Sequence, residues 1–103
     1  MNLKTMKVKE VIKALKEYKT YSMREAMRIA GLETANMIAG CQNCVEHKNF
    51  TQCTNVFKCE DGLVGVTGLT ADHNHVGYEK IGFTSFAEEY EEVQVVRYLP
   101  KEK

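Results

Sequence analysis

Residues 41–59 read CQNCVEHKNFTQCTNVFKC and contain all four cysteines of this 103-residue chain. Cys41 and Cys44 form a C-x2-C pair, and Cys53 follows Cys44 after an interval of eight residues. Cys59 lies after five more residues. Zinc binds four soft ligands in a tetrahedron, and a C-x2-C pair supplies two of them from one tight turn. The spacing therefore predicts one structural zinc ion with these ligands: Cys41, Cys44, Cys53 and Cys59.

Other interpretations of the same residues stay open. His47 lies three residues after Cys44 and could replace one cysteine as a ligand. A redox C-x-x-C pair is the main competing hypothesis, together with ordinary buried thiols. The region lacks the strand-to-helix context of a thioredoxin-like site, and a redox pair leaves Cys53 and Cys59 unexplained, so zinc is favoured. Four thiolates leave no ligand position for water, which predicts a structural rather than a catalytic zinc.

Upstream of the cysteines the hydrophobic period is helical. Residues 5–18 place their apolar side chains on one stripe, which predicts an amphipathic helix. Ser22 and Glu25 form a capping-box pattern at the start of a second helix, and Gly31 is suited to end it. A third, short helix is predicted over residues 34–39.

Downstream of the cysteines the period becomes that of strands. Residues 56–59 and 63–70 flank Asp61-Gly62, a dipeptide typical of a tight hairpin turn. Further strands are predicted at 76–84 and 92–99 because β-branched and aromatic residues are frequent there. Between them, Ser85 and Glu88 form a second capping-box pattern, which predicts a short helix at 86–91.

Together these segments predict an α+β fold in a single domain spanning residues 1–103. Two to three helices occupy the N-terminal part, residues 1–40, and a four-cysteine zinc knuckle occupies residues 41–59. A small antiparallel sheet with one short helix occupies residues 56–99. A chain this short buries a modest core, so a metal clip would add needed stability.

Charge and hydropathy limit the possible locations and partners. The net charge is zero, but residues 1–28 carry a balance of +5 and residues 60–103 a balance of −5. Such a dipole could orient the encounter with a charged partner. The N-terminus has no apolar run long enough for a signal peptide or a membrane span, which predicts a reducing cytoplasm and no contact with a membrane. Clustered cysteines in that compartment are more often metal ligands than disulfides.

Two sequence features invite functional hypotheses of other classes. Asp72-His73-Asn74-His75 invites comparison with zinc-dependent HNH nucleases, but all four cysteines precede it, so a polar surface loop is favoured. Residues 22–40 have the outline of a helix-turn-helix, which makes a DNA-binding transcriptional regulator the second hypothesis. The presumed recognition helix, residues 34–39, has no Arg or Lys and only Asn36 to read a base edge. The nuclease is the third hypothesis, and an enzyme is not expected.

An acidic, aromatic-bearing segment near the C-terminus is the candidate contact for a protein partner. Phe86 and Tyr90 are surrounded by four glutamates, and such a surface suits a basic protein groove, including one that normally receives nucleic acid. The predicted partner-binding residues are Glu88, Glu89, Glu91 and Glu92.

With the cysteine cluster and this acidic segment, the chain resembles the small phage-encoded anti-CRISPR proteins, in particular a zinc-containing inhibitor of the type II RNA-guided nuclease. The resemblance covers the general layout and includes no diagnostic motif. It implies a non-enzymatic inhibitor in the cytoplasm of a bacterial host. In such a protein the zinc is architectural, and a surface docked on the nuclease blocks its action on DNA.

Overall fold

The computed structural model describes residues 6–47, 50–71, 83–92 and 100–101. The described part contains two α-helices, one 3-10 turn and one antiparallel sheet with the strand order β1-β2-β3-β4. The helices are α1 (Val8–Glu17) and α2 (Met23–Ala30), and the 3-10 turn is Thr34–Asn36. The strands are β1 (Met37–Glu46), β2 (Phe50–Cys59), β3 (Gly62–Ala71) and β4 (Phe86–Tyr90).

Both helices confirm the sequence pattern that predicted them. In α1 the buried residues are Val8, Val11 and Leu15, which lie on one stripe. The hydroxyl of Ser22 accepts a hydrogen bond from the Glu25 amide at 3.1 Å and caps α2. Gly31 ends α2 in the left-handed region with φ 71°, which costs glycine little.

The first turn of α1 is closed by a distant part of the chain. Lys7 precedes the helix, and its side chain has no acceptor for the free amides of the first turn. The carboxylate of Asp61, in the turn between β2 and β3, accepts a hydrogen bond from the Val8 amide at 2.9 Å. The Glu60 amide donates to the Met6 carbonyl at 3.0 Å. The β2–β3 turn is therefore fastened to the start of α1.

The hairpin of β2 and β3 is the most regular part of the sheet. Ten consecutive residue pairs join the strands, from Phe50 opposite Ala71 to Cys59 opposite Gly62. The hairpin was predicted, but its two loop residues are Glu60 and Asp61, one position earlier than the predicted turn. Pairing of β1 with β2 is instead interrupted by three register shifts.

The helices pack on the sheet face that carries the side chains of Phe57, Val64 and Val66. The connection between α1 and α2 lies along β3, where the Leu69 amide donates to the Tyr21 carbonyl at 2.9 Å. Gly68 permits this close approach, since a β-carbon there would lie 2.6 Å from the Cα of Met23. The opposite face is also buried near its centre, where the hydroxyls of Thr54 and Thr67 are 2.8 Å apart.

The predicted fold is wrong at three points. Residues 41–59 do not form a zinc knuckle, because they belong mostly to two paired strands, β1 and β2. The predicted helix at 34–39 is a 3-10 turn followed by β1, so a helix-turn-helix over 22–40 lacks its second helix. The predicted helix at 86–91 is β4. The described chain is therefore mainly sheet with two helices.

Tertiary packing explains why the predicted helix at 86–91 is a strand. In a strand at 86–90, alternate side chains point to opposite faces, and this places Ala87 on the helix-bearing face, where it joins the core. The backbone of β4 also supplies hydrogen-bonding partners to the outer side of β3. Ser85 does not cap a helix, and its amide donates to the Thr20 carbonyl at 2.8 Å. The predicted strands at 76–84 and 92–99 lie almost entirely outside the described residues. No helix in the described part of the chain is long and apolar enough to cross a membrane.

Candidate functional site

The backbone of β1 is bent at the C-x2-C pair. Within the described ranges, Cys41 (φ 53°) and Asn43 (φ 50°) are the non-glycine residues with positive φ. This left-handed region is uncommon for residues with a β-carbon, and asparagine tolerates it better than most. Two of the register shifts lie on either side of Gln42, which pairs with Thr54. The segment is therefore a β-bulge that aims side chains differently from a regular strand.

The bulge brings three cysteines together. Because Gln42 pairs with Thr54 and Val45 with Gln52, the intervening Asn43 and Cys44 both lie opposite Cys53. The Cys44 thiol donates a hydrogen bond to the Cys41 carbonyl oxygen at 3.3 Å. The amide of Cys41 donates to the side-chain oxygen of Asn55 at 3.0 Å and holds the bulge against β2. Cys41, Cys44 and Cys53 together form the thiol cluster.

The three thiols differ in exposure and in acidity. Cys41 and Cys44 are exposed, whereas Cys53 is buried, with 3% of its surface accessible. Burial raises the pKa of the Cys53 thiol from 9.0 to about 11, and the neighbouring thiols of Cys41 and Cys44 add to this rise. Cys53 is therefore protonated at neutral pH and is a poor nucleophile.

Cys59 is not part of the thiol cluster. It lies six residues beyond Cys53 at the far end of the same strand, about 20 Å away at the usual rise of a β-strand. Burial, and then the nearby charge of Asp61, raises the pKa of the Cys59 thiol. No group of three or more His, Cys, Asp or Glu side chains within residues 6–47, 50–71, 83–92 and 100–101 is arranged to hold a metal ion. The four cysteines thus do not meet at one site, and the zinc ion stays a prediction.

The histidines are also separate from the thiols. His47 directly follows β1, at the loop end of the β1–β2 hairpin. Its backbone pairs with Phe50, and its Nε2 lies 3.1 Å from Oε1 of Gln52. Gln52 alternates with Cys53 along β2, so its side chain lies on the opposite sheet face. His47 therefore does not replace a cysteine in the cluster. Asp72, His73 and His75 lie outside the described residues.

A groove crosses the sheet on the face opposite the helices, with a volume of about 440 Å³. Val56 and Leu63, on the two central strands, lie between walls formed by β1 on one side and by Tyr90 with the residues after β4 on the other. The described residues that line it are Ile38, Ala39, Gln42, Asn43, Val56, Leu63, Tyr90, Glu91 and Glu92. This set, called the groove below, joins an apolar floor to two carboxylates.

The four glutamates predicted to contact a partner lie on two different surfaces of the protein. Glu91 and Glu92 are exposed and line the groove. Glu88 lies on the same sheet face as Tyr90, because the two residues alternate along β4. Glu89 lies on the helix-bearing face and, with Tyr90 and Glu91, borders a second pocket. The four glutamates therefore present two surfaces, and one of them belongs to the groove.

The sequence interpretation missed the apolar residues of the groove. The sequence predicts a helix at Ile38, yet the residue lies in β1 with 56% of its surface exposed at the groove wall. Gly65 contributes indirectly, since a β-carbon there would lie 2.6 Å from Cζ of Tyr90, whose ring covers the glycine. The sequence signal for this arrangement is the four-residue spacing of Phe86 and Tyr90. This spacing places the two aromatic side chains on one face of a strand, and it also fits one face of a short helix.

The arrangement suits two kinds of chemistry. The groove has the shape and charge for a side chain that is apolar along its stem and positively charged at its tip, and the exposed thiols of Cys41 and Cys44 are accessible to small sulfur compounds. Comparison with known proteins finds no matching family model, no matching curated protein and no matching solved structure.

Proposed function

We propose that this chain is a non-enzymatic interaction protein whose groove receives an arginine or lysine side chain of a protein partner. The observation that carries the proposal is the apolar floor of the groove, which ends at the carboxylates of Glu91 and Glu92. A long basic side chain can lie along Val56 and Leu63 and keep its charged group at the acidic end.

Tyr90 gives the groove a second means of holding a cation. Its ring lies over Gly65 and lines the groove, so a guanidinium group entering there can contact an aromatic face. Cation–π contacts contribute about 0.5–1 kcal/mol at exposed sites and more when the pair is shielded from water. Tyrosine is also among the residues that most often dominate binding energy at interfaces. Aromatic and acidic contacts together favour arginine over lysine, because the planar guanidinium satisfies both.

A partner that handles nucleic acid fits this groove best. The channels of RNA-guided nucleases are positively charged because they hold a nucleic-acid heteroduplex. An acidic protein surface docked on such a channel competes with the nucleic acid for the same basic side chains. With the resemblance noted above, this supports a specific proposal, namely that the chain inhibits a type II RNA-guided nuclease by occupying part of its nucleic-acid path.

Binding and cleavage assays with a purified, guide-loaded type II RNA-guided nuclease test the proposal. We expect the wild-type chain to bind and to inhibit DNA cleavage. We expect Glu91→Lys/Glu92→Lys to weaken binding about 100-fold or more, because like charges placed opposite each other at an interface cost several kcal/mol. The matched control is Glu17→Lys/Glu33→Lys, which makes the same charge change at exposed positions outside the groove. Equal affinity of the wild type and the groove variant would overturn the role of the groove.

A second experiment tests the groove without the nuclease. A short peptide with one arginine between two leucines is titrated into the isotope-labelled chain, and amide chemical shifts are followed by NMR. We expect the largest shifts at Gln42, Leu63 and Tyr90, and much smaller shifts when glutamate replaces the arginine. If the chain binds the peptide but not the nuclease, this nuclease is rejected as the partner. Absence of binding to both would reject the basic partner.

A further inference from the structure

The C-x2-C pair lies on the solvent side of the thiol cluster, where small molecules can reach it. Cys41 and Cys44 are both exposed, and positive φ angles at Cys41 and Asn43 bend the backbone in this segment. The Cys44 thiol already points back to Cys41, whose carbonyl oxygen it contacts at 3.3 Å. In an ideal extended strand, residues three positions apart are about 10 Å apart, too far for a disulfide. Because of the bulge, Cys41 and Cys44 are not in the extended-strand geometry that would forbid a disulfide between them.

We propose that Cys41 and Cys44 form a thiol–disulfide exchange site that reacts with low-molecular-weight organic disulfides such as glutathione disulfide. The proposal rests on the exposure of both thiols, on the backbone bend between them and on the direction of the Cys44 side chain. It does not depend on the proposed interaction with a nuclease.

The exchange proceeds in two balanced steps. One cysteine loses its proton to solvent, and its thiolate attacks a sulfur of glutathione disulfide, so that a mixed disulfide forms and one glutathione thiolate leaves. The second cysteine then loses its proton, and its thiolate attacks the protein sulfur of the mixed disulfide, forming the Cys41–Cys44 bond and releasing the second glutathione. The two protein thiols are oxidised by two electrons in total, and one glutathione disulfide is reduced to two glutathione molecules.

Cys53 gives the site a third sulfur that stays out of the reaction. It lies opposite Cys44 on β2 but is buried, so an organic disulfide reaches it less readily than it reaches the exposed pair. Cys59 provides an internal control, because it is equally buried on the same strand and remote from the pair. The two buried thiols should therefore behave alike, and both should differ from the exposed pair.

Equilibration in glutathione redox buffers, followed by acid quenching and peptide mapping by mass spectrometry, tests the proposal. We expect a Cys41–Cys44 disulfide in oxidising buffers, with the thiols of Cys53 and Cys59 still reduced. Cys41→Ser and Cys44→Ser should each hold one glutathione as a stable mixed disulfide. Cys59→Ser should leave the redox midpoint of the pair unchanged.

Three outcomes would overturn the proposal. One is a disulfide that involves Cys53 or Cys59 in the folded wild type. Another is full retention of reduced Cys41 and Cys44 in the most oxidising buffer. The third is one equivalent of zinc in the purified protein, measured by elemental analysis, that protects Cys41 and Cys44 from glutathione disulfide and is lost in both serine variants. The wild-type mapping decides these outcomes even if a variant folds poorly.

Discussion

The carboxylate of Asp61 and the backbone amide of Val8 are joined by a 2.9 Å hydrogen bond across 53 residues of sequence. The bond places a negative charge at the positive end of α1, where it interacts favourably with the helix dipole. It also links the β2–β3 turn to the N-terminal helix, since Val8 is itself buried in the core. A residue of the β2–β3 turn thus performs the capping role that Lys7 cannot perform.

Removing this cap should destabilise the protein measurably. We expect Asp61→Ala to lower the free energy of unfolding by about 1–2 kcal/mol, the usual cost of losing a capping side chain. Urea unfolding followed by circular dichroism provides the measurement. Glu60→Ala is the matched control, because Glu60 contacts Met6 through its backbone amide, which alanine retains. A loss of similar size in both variants would show that turn charge, rather than the hydrogen bond, stabilises α1.

The contact between Gly68 and Met23 predicts a larger effect. We expect Gly68→Ala to cost about 2–3 kcal/mol or more, because the new methyl group would meet the backbone of α2, which cannot move without disturbing the core. Gly40→Ala is the control, since a β-carbon there would approach only the flexible Met37 side chain, at 3.4 Å, and the Asn55 side-chain oxygen, at 3.6 Å. Thermal unfolding of the two variants checks the difference. Equal melting temperatures would contradict the close packing at Gly68.

Sequence patterns were sufficient where local signals and tertiary packing agree. The caps at Ser22 and Gly31 predict both ends of α2, and the apolar stripe predicts α1 over residues 5–18, whereas the helix is Val8–Glu17. The hairpin between β2 and β3 was also predicted, because a turn dipeptide lies between two β-branched segments. These elements owe their form largely to residues close to them in sequence.

Other elements could not be predicted because their form depends on distant partners. Residues 34–39 and 86–91 are short and carry mixed helix and strand signals, so the strands beside them decide the outcome. The spacing of the cysteines in the sequence fits a zinc site, but it does not determine whether Cys59 lies near the other three cysteines in space. The extended conformation of β2 separates Cys53 from Cys59, and the register of β1 against β2 brings Cys44 opposite Cys53. The groove likewise combines residues from four strands and their flanks, which no local pattern connects.

The buried hydrogen bond between Thr54 and Thr67 predicts a non-additive pair of substitutions. Thr67→Val should cost about 1–3 kcal/mol, because it leaves the buried Thr54 hydroxyl without its partner. The double variant Thr54→Val/Thr67→Val should regain most of this loss, since both polar groups are then absent and the shape is retained. Urea unfolding of both single variants and the double variant measures the coupling. Additive costs would mean that the two hydroxyls do not depend on each other.

The raised pKa of Cys53 predicts a pH-dependent stability. The thiol ionises near pH 11 in the folded chain and near pH 9.0 when its environment is lost, so the unfolded chain releases the proton first. Stability from this residue is therefore complete below about pH 9 and falls as the pH rises towards 11. The loss should be about 1–2 kcal/mol, less than the full value for that difference in pKa, because exposed neighbours leave the site near solvent.

Unfolding measurements between pH 8 and pH 11 in a phosphine reductant check this dependence. Cys53→Ser is the reference, because its hydroxyl does not ionise in this range while the other titrating groups remain. The difference in unfolding free energy between wild type and Cys53→Ser should change across this interval. Parallel curves for the two proteins would contradict the raised pKa.

The bulge in β1 also bears on solubility. β1 is an outer strand of the described sheet, and it carries the exposed apolar side chains of Ile38 and Val45. A long, flat outer strand of this kind offers its unpaired amides and carbonyls as a template for another copy of the chain. The left-handed residues Cys41 and Asn43 interrupt that row of groups, so a second strand cannot add along its full length. The bend that gathers the thiols therefore also protects the chain against edge-to-edge aggregation.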